Sequence, residues 1–568
     1  VSEEAVELRA GPVRLQLVGA DLRGLGPDGR EVVQRVYPAF RDREWGTAPV
    51  VVWRRRLDRD RRSFRAVLQG TARLGELDLG FTARASGGED GTVAYELEVE
   101  ARAEFASRRL GLCVNLDAAA CVGARVLAGG AGEEIERTLG DLISPQPLDG
   151  EAYTPMLGPF TRLDLSLADG STVALATGET PFELEDQRNW ADGSLKAYSS
   201  GPPQALRRGR GDRLEQRLRL AFGLPSRGER PRRRRQAVTV GPPGSRAVPP
   251  VGLSFGDGFS APPGIRPAHI RVDAELTDST LACRSRLEEL VAETGAPLEL
   301  AVHGSAGDSP ALGAALEGLP ITRVLALERS ERSTGAELLR LVRRAVGRSC
   351  PIAVGTSAHF SEICRRPPPA AEAELLCWSA HPQVHAGDDR TVIENLPGLG
   401  AQVRTARALL PGLRPLVSVL RLGPQGSVDP RASSEFGAAW AVGAFSQLLE
   451  AGVEGVTVGG GPGQETVTAV AAALMAVRYA PLRPLDGVQD GIAALAWGEQ
   501  EVGMLLANLR PAAGSVRLAL PGSGGTLTAA PLVPNPRRGR AWREVPTEDG
   551  ATELYLAPYE SLRLTVRY

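Results

Sequence analysis

Between residues 251 and 459 the chain alternates short apolar runs with helical stretches, eight times over. That rhythm limits the fold more than any other feature of the sequence. The apolar runs are 251–255, 269–274, 298–303, 323–328, 351–356, 375–380, 415–421 and 455–459. A parallel strand covered on both faces reads as a nearly continuous hydrophobic run, and a crossover must separate it from the next. Helical spacing supplies such crossovers at 283–292 and 336–345, and predicts the last two helices at Glu435–Ala451 and 465–479. Eight repeats predict a (β/α)8 TIM barrel, a fold that takes about 250 residues.

The rhythm differs on either side. Val13–Val18, 93–101 and 163–167 alternate apolar and polar residues, with Gly, Asp and Asn turns between them. That is the period of half-buried antiparallel strands. After Pro481 the same period returns at 491–497, 516–520 and 554–566. The expected architecture is a central TIM barrel (246–482) flanked by an N-terminal β-sandwich (1–245) and a small C-terminal β-sandwich (483–568). The basic run at 227–235 reads as a solvated linker.

Composition removes several function classes. The formal net charge is −2, which gives no global field for nucleic acid or anionic membrane. No apolar run reaches the roughly 18 residues of a membrane span. The six cysteines form neither a CxxC pair nor a zinc spacing and mostly sit in apolar contexts, as buried thiols do in a reducing compartment. The first residues lack the basic and apolar regions of a secretion signal. A cytoplasmic location is expected. Assembly as a homo-oligomer is left open.

A barrel carries its reactive groups at the C-terminal ends of its strands. Those ends offer Asp257, Asp273 and Glu275, His303, Glu328, His359, the run from Trp378 through His381, Gln383 and His385 to Asp389, and Arg421. All five histidines lie between 269 and 385, and four of them at or just beyond strand ends. Such clustering favours a functional mouth over scattered structural roles. His269 opens its strand and reads as structural. Glu328 closes an apolar run, where burial would raise its pKa into the range of a general base. A salt bridge to Arg329 or Arg332 is the competing account. Asp273 has Arg271 and Glu275 as partners for a structural charge ladder. A glycosidase of the commonest barrel type needs carboxylates on strands four and seven, and strand seven has none. The glycine loop 459–463 reads as a plain loop.

Lys196 is the only lysine among the 66 lysines and arginines of the chain. It sits in a stretch, 182–198, where Glu183, Glu185, Asp186, Arg188, Asn189 and Asp192 crowd beside Trp190 and Tyr198. A lysine is a compact point charge that arginine does not replace at every site. Two readings stand together: a loop that caps the barrel mouth, and a polar interface with paired charges.

Three stretches carry a resemblance: 41–47 (Arg-Asp-Arg-Glu-Trp-Gly-Thr), 182–198, and 381–389 (His-Pro-Gln-Val-His-Ala-Gly-Asp-Asp). Together they resemble the D-apionate lactonase family, bacterial enzymes of branched-pentose breakdown. The resemblance covers the whole chain and implies hydrolysis of a sugar lactone, D-apionolactone or a relative, to the aldonic acid. The residues suit that reaction, which needs a base for water and a cation or donor for the oxyanion. The expected catalytic set is Glu328, His303, His381 and His385, with Glu328 or a strand-six histidine as base. Lys196 or His303 would stabilise the oxyanion or hold the nascent carboxylate. Asp186 and Arg188 would orient sugar hydroxyls or each other. Trp190, Asp273, Gln383 and Arg421 complete the expected substrate contacts. No Gly-x-Ser-x-Gly elbow is present, so water is the expected nucleophile. No cofactor is expected, although a divalent metal on His303, His381 and His385 remains compatible with the residues. The only partner expected is a small sugar lactone or sugar acid. The alternatives are a glycosidase with an atypical carboxylate pair and a carbohydrate-binding protein without catalysis.

Overall fold

A computed structural model describes residues 4–149, 152–201, 205–224, 237–254, 264–275, 284–305, 308, 316–424, 426–519, 526–533, 543–546 and 551–567. The basic run at 227–235 and Asp257 lie outside the described residues. The chain divides into two compact units. One is Val1–Arg188 with Gly193–Pro231, and the other is Asn189–Asp192 with Arg232–Tyr568.

The first unit is a β-sandwich. Among the described residues each of its two large antiparallel sheets has nine strands. One sheet runs from Val6–Ala10 through Val33–Asp42, Phe105–Asp117 and Ser194–Ser199 to Phe182–Asp186 and Leu157–Phe160. The other is built around Arg213–Gly223, Thr92–Ala101, Leu77–Gly87 and Phe64–Leu74. Alternation puts Leu15, Leu17, Phe40, Leu112 and Val114 of one sheet in a common core with Leu68, Phe81, Leu97 and Leu165 of the other. Phe40 and Phe81 meet with ring centroids 6.2 Å apart. Tyr95 is buried in that core, and its hydroxyl donates to the carbonyl of Ala20 at 2.6 Å. A buried phenol needs that partner, since desolvation without one is costly.

The second unit holds the barrel. Its strands are β1 (Val251–Ser254), β2 (Ile270–Glu275), β3 (Leu298–Gly304), β4 (Ile321–Glu328), β5 (Ile352–Gly355), β6 (Leu375–Ala380), β7 (Arg414–Leu420) and β8 (Gly455–Gly459). They pair in parallel and in order, and β8 closes on β1. The predicted helix Glu435–Ala451 forms as expected and ends on Gly452 in the left-handed region (φ +83°), where glycine has no side chain to clash. The predicted helix at 465–479 is shorter and stops at Met475.

The same unit carries the C-terminal β-sandwich. Val238–Val240, which precede the barrel in the chain, pair in parallel with Gly514–Ala519 and antiparallel with Leu485–Asp486. Val238 and Val240 share a core with Met504, Leu506, Val516, Leu554 and Leu564.

Candidate functional site at the barrel strand ends

Side chains alternate along a strand, so Arg271 and Asp273 of β2 share a face. Arg271 is buried. Its Nη2 donates to Asp273 Oδ1 at 2.7 Å and its Nε to Oδ2 at 3.2 Å. The neighbouring β3 places His303 in register with Glu275, and His303 Nε2 donates to Asp273 Oδ1 at 2.8 Å. Burial alone would raise the Asp273 carboxyl, but Arg271 and His303 outweigh it and hold the group well below the usual carboxylate range. An ionised carboxylate only accepts hydrogen bonds, so the ring nitrogen facing it carries the proton. In neutral His303 the lone pair therefore lies on Nδ1, which has no protein partner among the described residues. The Asp273 side chain is 47% exposed, so the pair opens to solvent.

A buried polar layer supports this pair from below. Arg271 Nη1 donates to the Ser418 carbonyl at 2.7 Å and to Ser418 Oγ at 2.9 Å. Ser418 Oγ donates to Glu299 Oε1 at 2.6 Å, and Thr457 Oγ1 reaches the same oxygen at 2.7 Å. Arg323 Nε closes on Glu299 Oε2 at 2.6 Å. Burial opposes the charge on Glu299, yet His269, Arg323 and Arg271 hold its pKa down to about 2. Desolvation pushes His269 down to about 3, so it stands there as a neutral hydrogen-bonding ring, with Nε2 2.8 Å from Thr457 Oγ1. Gly252 makes room for it, because a Cβ there would lie 2.2 Å from His269 Nε2. Barrel interiors normally fill with branched apolar side chains. This one does so in part, with Leu325, Leu327, Leu375 and Leu416 among others, and sets a charged column of Arg271, Glu299 and Arg323 beside them.

The ends of β5 to β7 bring further groups together. The rings of His359 and His381 lie 5.0 Å apart. Burial, then His359 and Arg421, push His381 down to about 3; burial also lowers His359, against the pull of Asp192. His385 Nδ1 lies 2.8 Å from Asp192 Oδ2, and the His385 ring meets Trp190 edge-on at 5.7 Å. Arg365 lies over Trp190 at 5.5 Å. Close packing holds the segment in place: a Cβ on Gly398 would come within 2.4 Å of the Asp192 carbonyl. Arg421 follows β7. Its amide donates to the Ala380 carbonyl at 3.1 Å, and burial, then Arg271, lower its pKa while Asp273 raises it. No hydrogen bond to its guanidinium exists among the described residues.

The expected site residues thus separate. His303, Asp273, Arg421 and His381 gather at the strand ends, and His385 and Trp190 meet Asp192 nearby. Glu328 lies one residue past the inward-facing Leu327, and its Oε1 accepts from the Gly335 amide at 3.0 Å, just before helix Ala336–Val346. It serves there as a helix-end carboxylate. Gln383 bonds the Gly423 amide (2.5 Å) and Asp429, which fixes the loop after β7. In the first unit, Asp186 and Arg188 hold each other at 2.7 and 2.9 Å, and Arg188 also donates to the Asp141 and Leu142 carbonyls. Lys196 is buried in strand Ser194–Ser199, in register between Asn115 and Glu185, with Nζ 3.3 Å from Gln187 Oε1. Among the described residues no group of three or more His, Cys, Asp or Glu is arranged to hold a metal ion. Strand-end reading missed Glu299 and Ser418, which sit below the ends, and left Asp192 out of the site although it lies in the 182–198 stretch.

A closed eight-stranded barrel with a carboxylate-bonded histidine at its strand ends, joined in sequence to β-sandwiches, defines the class: a multidomain TIM-barrel protein. Comparison with known proteins narrows this. Residues 1–223 match the N-terminal domain of D-apionate lactonase, and residues 264–497 match the D-apionate lactonase TIM barrel domain. A D-apionate lactonase of Brucella anthropi is 22% identical over 528 residues, covering 79% of this chain and 81% of that protein. Among solved structures, a GH30 endoxylanase from Clostridium papyrosolvens aligns with 59% of this chain and 100% of its own, at 10% identity and a TM-score of 0.40. A beta-arabinopyranosidase aligns with 99% of this chain and 100% of its own, at 11% identity and a TM-score of 0.33. The chain belongs to the D-apionate lactonase family, and with it to the sugar-processing hydrolases.

Proposed function

We propose that this protein opens a sugar lactone of the D-apionolactone kind to its aldonic acid, at the C-terminal ends of the barrel strands. The observation that carries the reading is the Asp273–His303 pair at the strand ends, 2.8 Å between Nε2 and Oδ1, with Arg421 following β7. The relative from Brucella anthropi, named a D-apionate lactonase, supplies the substrate class.

In this mechanism Asp273 fixes the His303 tautomer and leaves Nδ1 as the base. Water attacks the lactone carbonyl carbon, and its proton passes to Nδ1. The carbonyl π electrons move onto oxygen, and Arg421 stabilises the resulting oxyanion. Collapse re-forms the carbonyl and breaks the bond to the ring oxygen, which takes the proton back from the His303 imidazolium. Asp273 and Arg421 balance the imidazolium and the oxyanion respectively, so the charge separation develops between groups already in place. The neutral rings of His359 and His381 offer hydrogen bonds to sugar hydroxyls without adding positive charge. Trp190 and the Asp192–His385 pair border the same strand ends and provide an apolar face with a polar edge for the sugar.

The test is acid release at constant pH from D-apionolactone and from a panel of other five-membered aldonolactones. Turnover of at least one, lost in His303→Gln, is the expected result. No acid release from any of them would remove the reading.

A further inference from the structure

The loop 41–47 belongs to the first unit, far in sequence from the residues that open the lactone. It is a tight hairpin turn. The Trp45 amide donates to the Asp42 carbonyl at 3.3 Å, and the Asp42 amide to the Gly46 carbonyl at 3.0 Å. Asp42 Oδ1 also accepts from the amides of Glu44 (2.9 Å) and Gly46 (2.7 Å). Trp45 itself lies in the left-handed region, at φ +68°. That place in a hairpin ordinarily falls to glycine or asparagine, since a β-carbon crowds the backbone there. A bulky residue stays in such a conformation only where its surroundings enforce it, and such residues gather at ligand clamps and active sites. Burial of the ring does not account for it, because Trp45 remains 40% exposed.

The surroundings do enforce it. Arg41 Nη1 donates to the Trp45 carbonyl at 3.1 Å, and Arg108 Nε to the Arg43 carbonyl at 3.0 Å. The guanidiniums of Arg108 and Arg109 lie 5.7 and 5.9 Å from the indole centroid. Arg109 is fixed in turn. It lies over Tyr198 at 4.7 Å, and its Nη2 is 3.6 Å from Glu183, whose other oxygen takes Ser200 Oγ at 2.6 Å. The outcome is a partly open aromatic surface, held at a fixed angle, with guanidinium donors at its border. A saccharide ring is the complement of such a surface, because its C–H groups form an apolar face and its hydroxyls project from the edge. We infer that the Trp45 loop is a saccharide-binding site of the first unit, in which the indole stacks on the sugar ring and Arg108 and Arg109 donate to its hydroxyls. The ligand class follows from these side chains and does not depend on the lactonase reading.

Protein labelled with fluorotryptophan gives one fluorine signal for each of its seven tryptophans, and Trp45→Gly assigns the signal of Trp45. Methyl pentopyranosides and methyl pentofuranosides, added to about 50 mM to saturate a site of millimolar affinity, should shift that signal. Glycerol, which has hydroxyls but no ring, should leave it in place. Arg108→Gln should weaken the sugar response by about threefold to tenfold. His303→Gln should leave it unchanged, so that a failure of the lactonase reading and a failure of this one are told apart. Trp45→Gly relieves the backbone and Trp45→Ala does not, so the glycine variant should melt above the alanine variant. No shift of the Trp45 signal with any of the sugars, or an equal shift with glycerol, would overturn the inference. So would a signal that moves with protein concentration alone, which would put a second copy of the chain on the ring. An alanine variant as stable as the glycine variant would remove the backbone argument and the inference with it.

Discussion

Replacing Asp273 with asparagine exchanges one carboxylate oxygen for an amide nitrogen and barely changes shape. Its effect follows from who donates to whom. Arg271 donates to both oxygens of Asp273, and His303 Nε2 donates to Oδ1. Oδ1 takes both His303 and the shorter Arg271 contact, so the amide oxygen would settle there and the NH2 would face Arg271 Nε, the 3.2 Å contact. His303 Nε2 would keep an acceptor, but a neutral one, so the imidazolium formed when Nδ1 takes the proton from water would lose its counter-charge. The base is weakened through that lost charge, with the ring still in place. Where a carboxylate behind a catalytic histidine has been made an amide, the rate falls by about 10^4, or about 5 kcal/mol of barrier. The folded state should lose far less, about 1–2 kcal/mol, because the carboxylate is half exposed and Arg271 keeps both of its contacts to Ser418. The assay pairs steady-state acid release with a thermal melt. The expected outcome is a kcat at least a thousandfold lower with a melting point down by only a few degrees. His303→Gln should lose as much, and the double variant no more than His303→Gln alone, since the two residues act as one unit. A loss below tenfold, or losses that multiply in the double variant, would refute the assignment.

Three further outcomes are expected. His381 is held at about 3 against an ordinary value of 6.5, so the unfolded chain binds a proton there that the folded chain refuses. Its contribution is complete above about pH 6.5 and is lost as pH falls toward 3; at about pH 5 the loss is on the order of 1–2 kcal/mol, and urea midpoints at neutral and acid pH should converge in His381→Gln. Lys196→Arg forces a larger planar head into a buried site between Asn115 and Glu185, and should cost about 1–3 kcal/mol, read as a lower melting temperature; an unchanged melt would make the lone lysine an accident of composition. Glu328→Gln keeps an oxygen for the Gly335 amide and should leave kcat within about threefold, whereas a hundredfold loss would return Glu328 to the role of base.

Barrel strands were legible in the sequence because burial on both faces leaves continuous apolar runs: 375–380 and 455–459 form the strands Leu375–Ala380 and Gly455–Gly459 without adjustment. The ladder from Arg271 to Asp273 was legible from the two-residue period. Glu299 was not. In the run Leu-Glu-Leu-Ala-Val it looks like an ordinary outward residue of a strand, and only the pairing of β3 with β4 shows that it shares the barrel interior with Arg323. The partner of Glu328 was hidden for the opposite reason. The place of Glu328 at a strand end was correct, but parity turns it toward a helix start, and a run that continues straight to the strand end conceals parity. Asp192 lies nearly two hundred residues from His385 in the chain, a distance across which residue spacing carries no information.

The strand Val238–Val240 ties the beginning of the barrel to its end. Its parallel partner, Gly514–Ala519, lies on the far side of the whole barrel in the chain. During synthesis that short segment must wait, with Val238 and Val240 uncovered, until the last sandwich emerges to receive them. Trimming the protein after the eighth barrel strand would strand the same two valines in water and remove the sheet they complete. The barrel is thus held at both ends by one piece of β-structure, and a break at either end should be felt at the other.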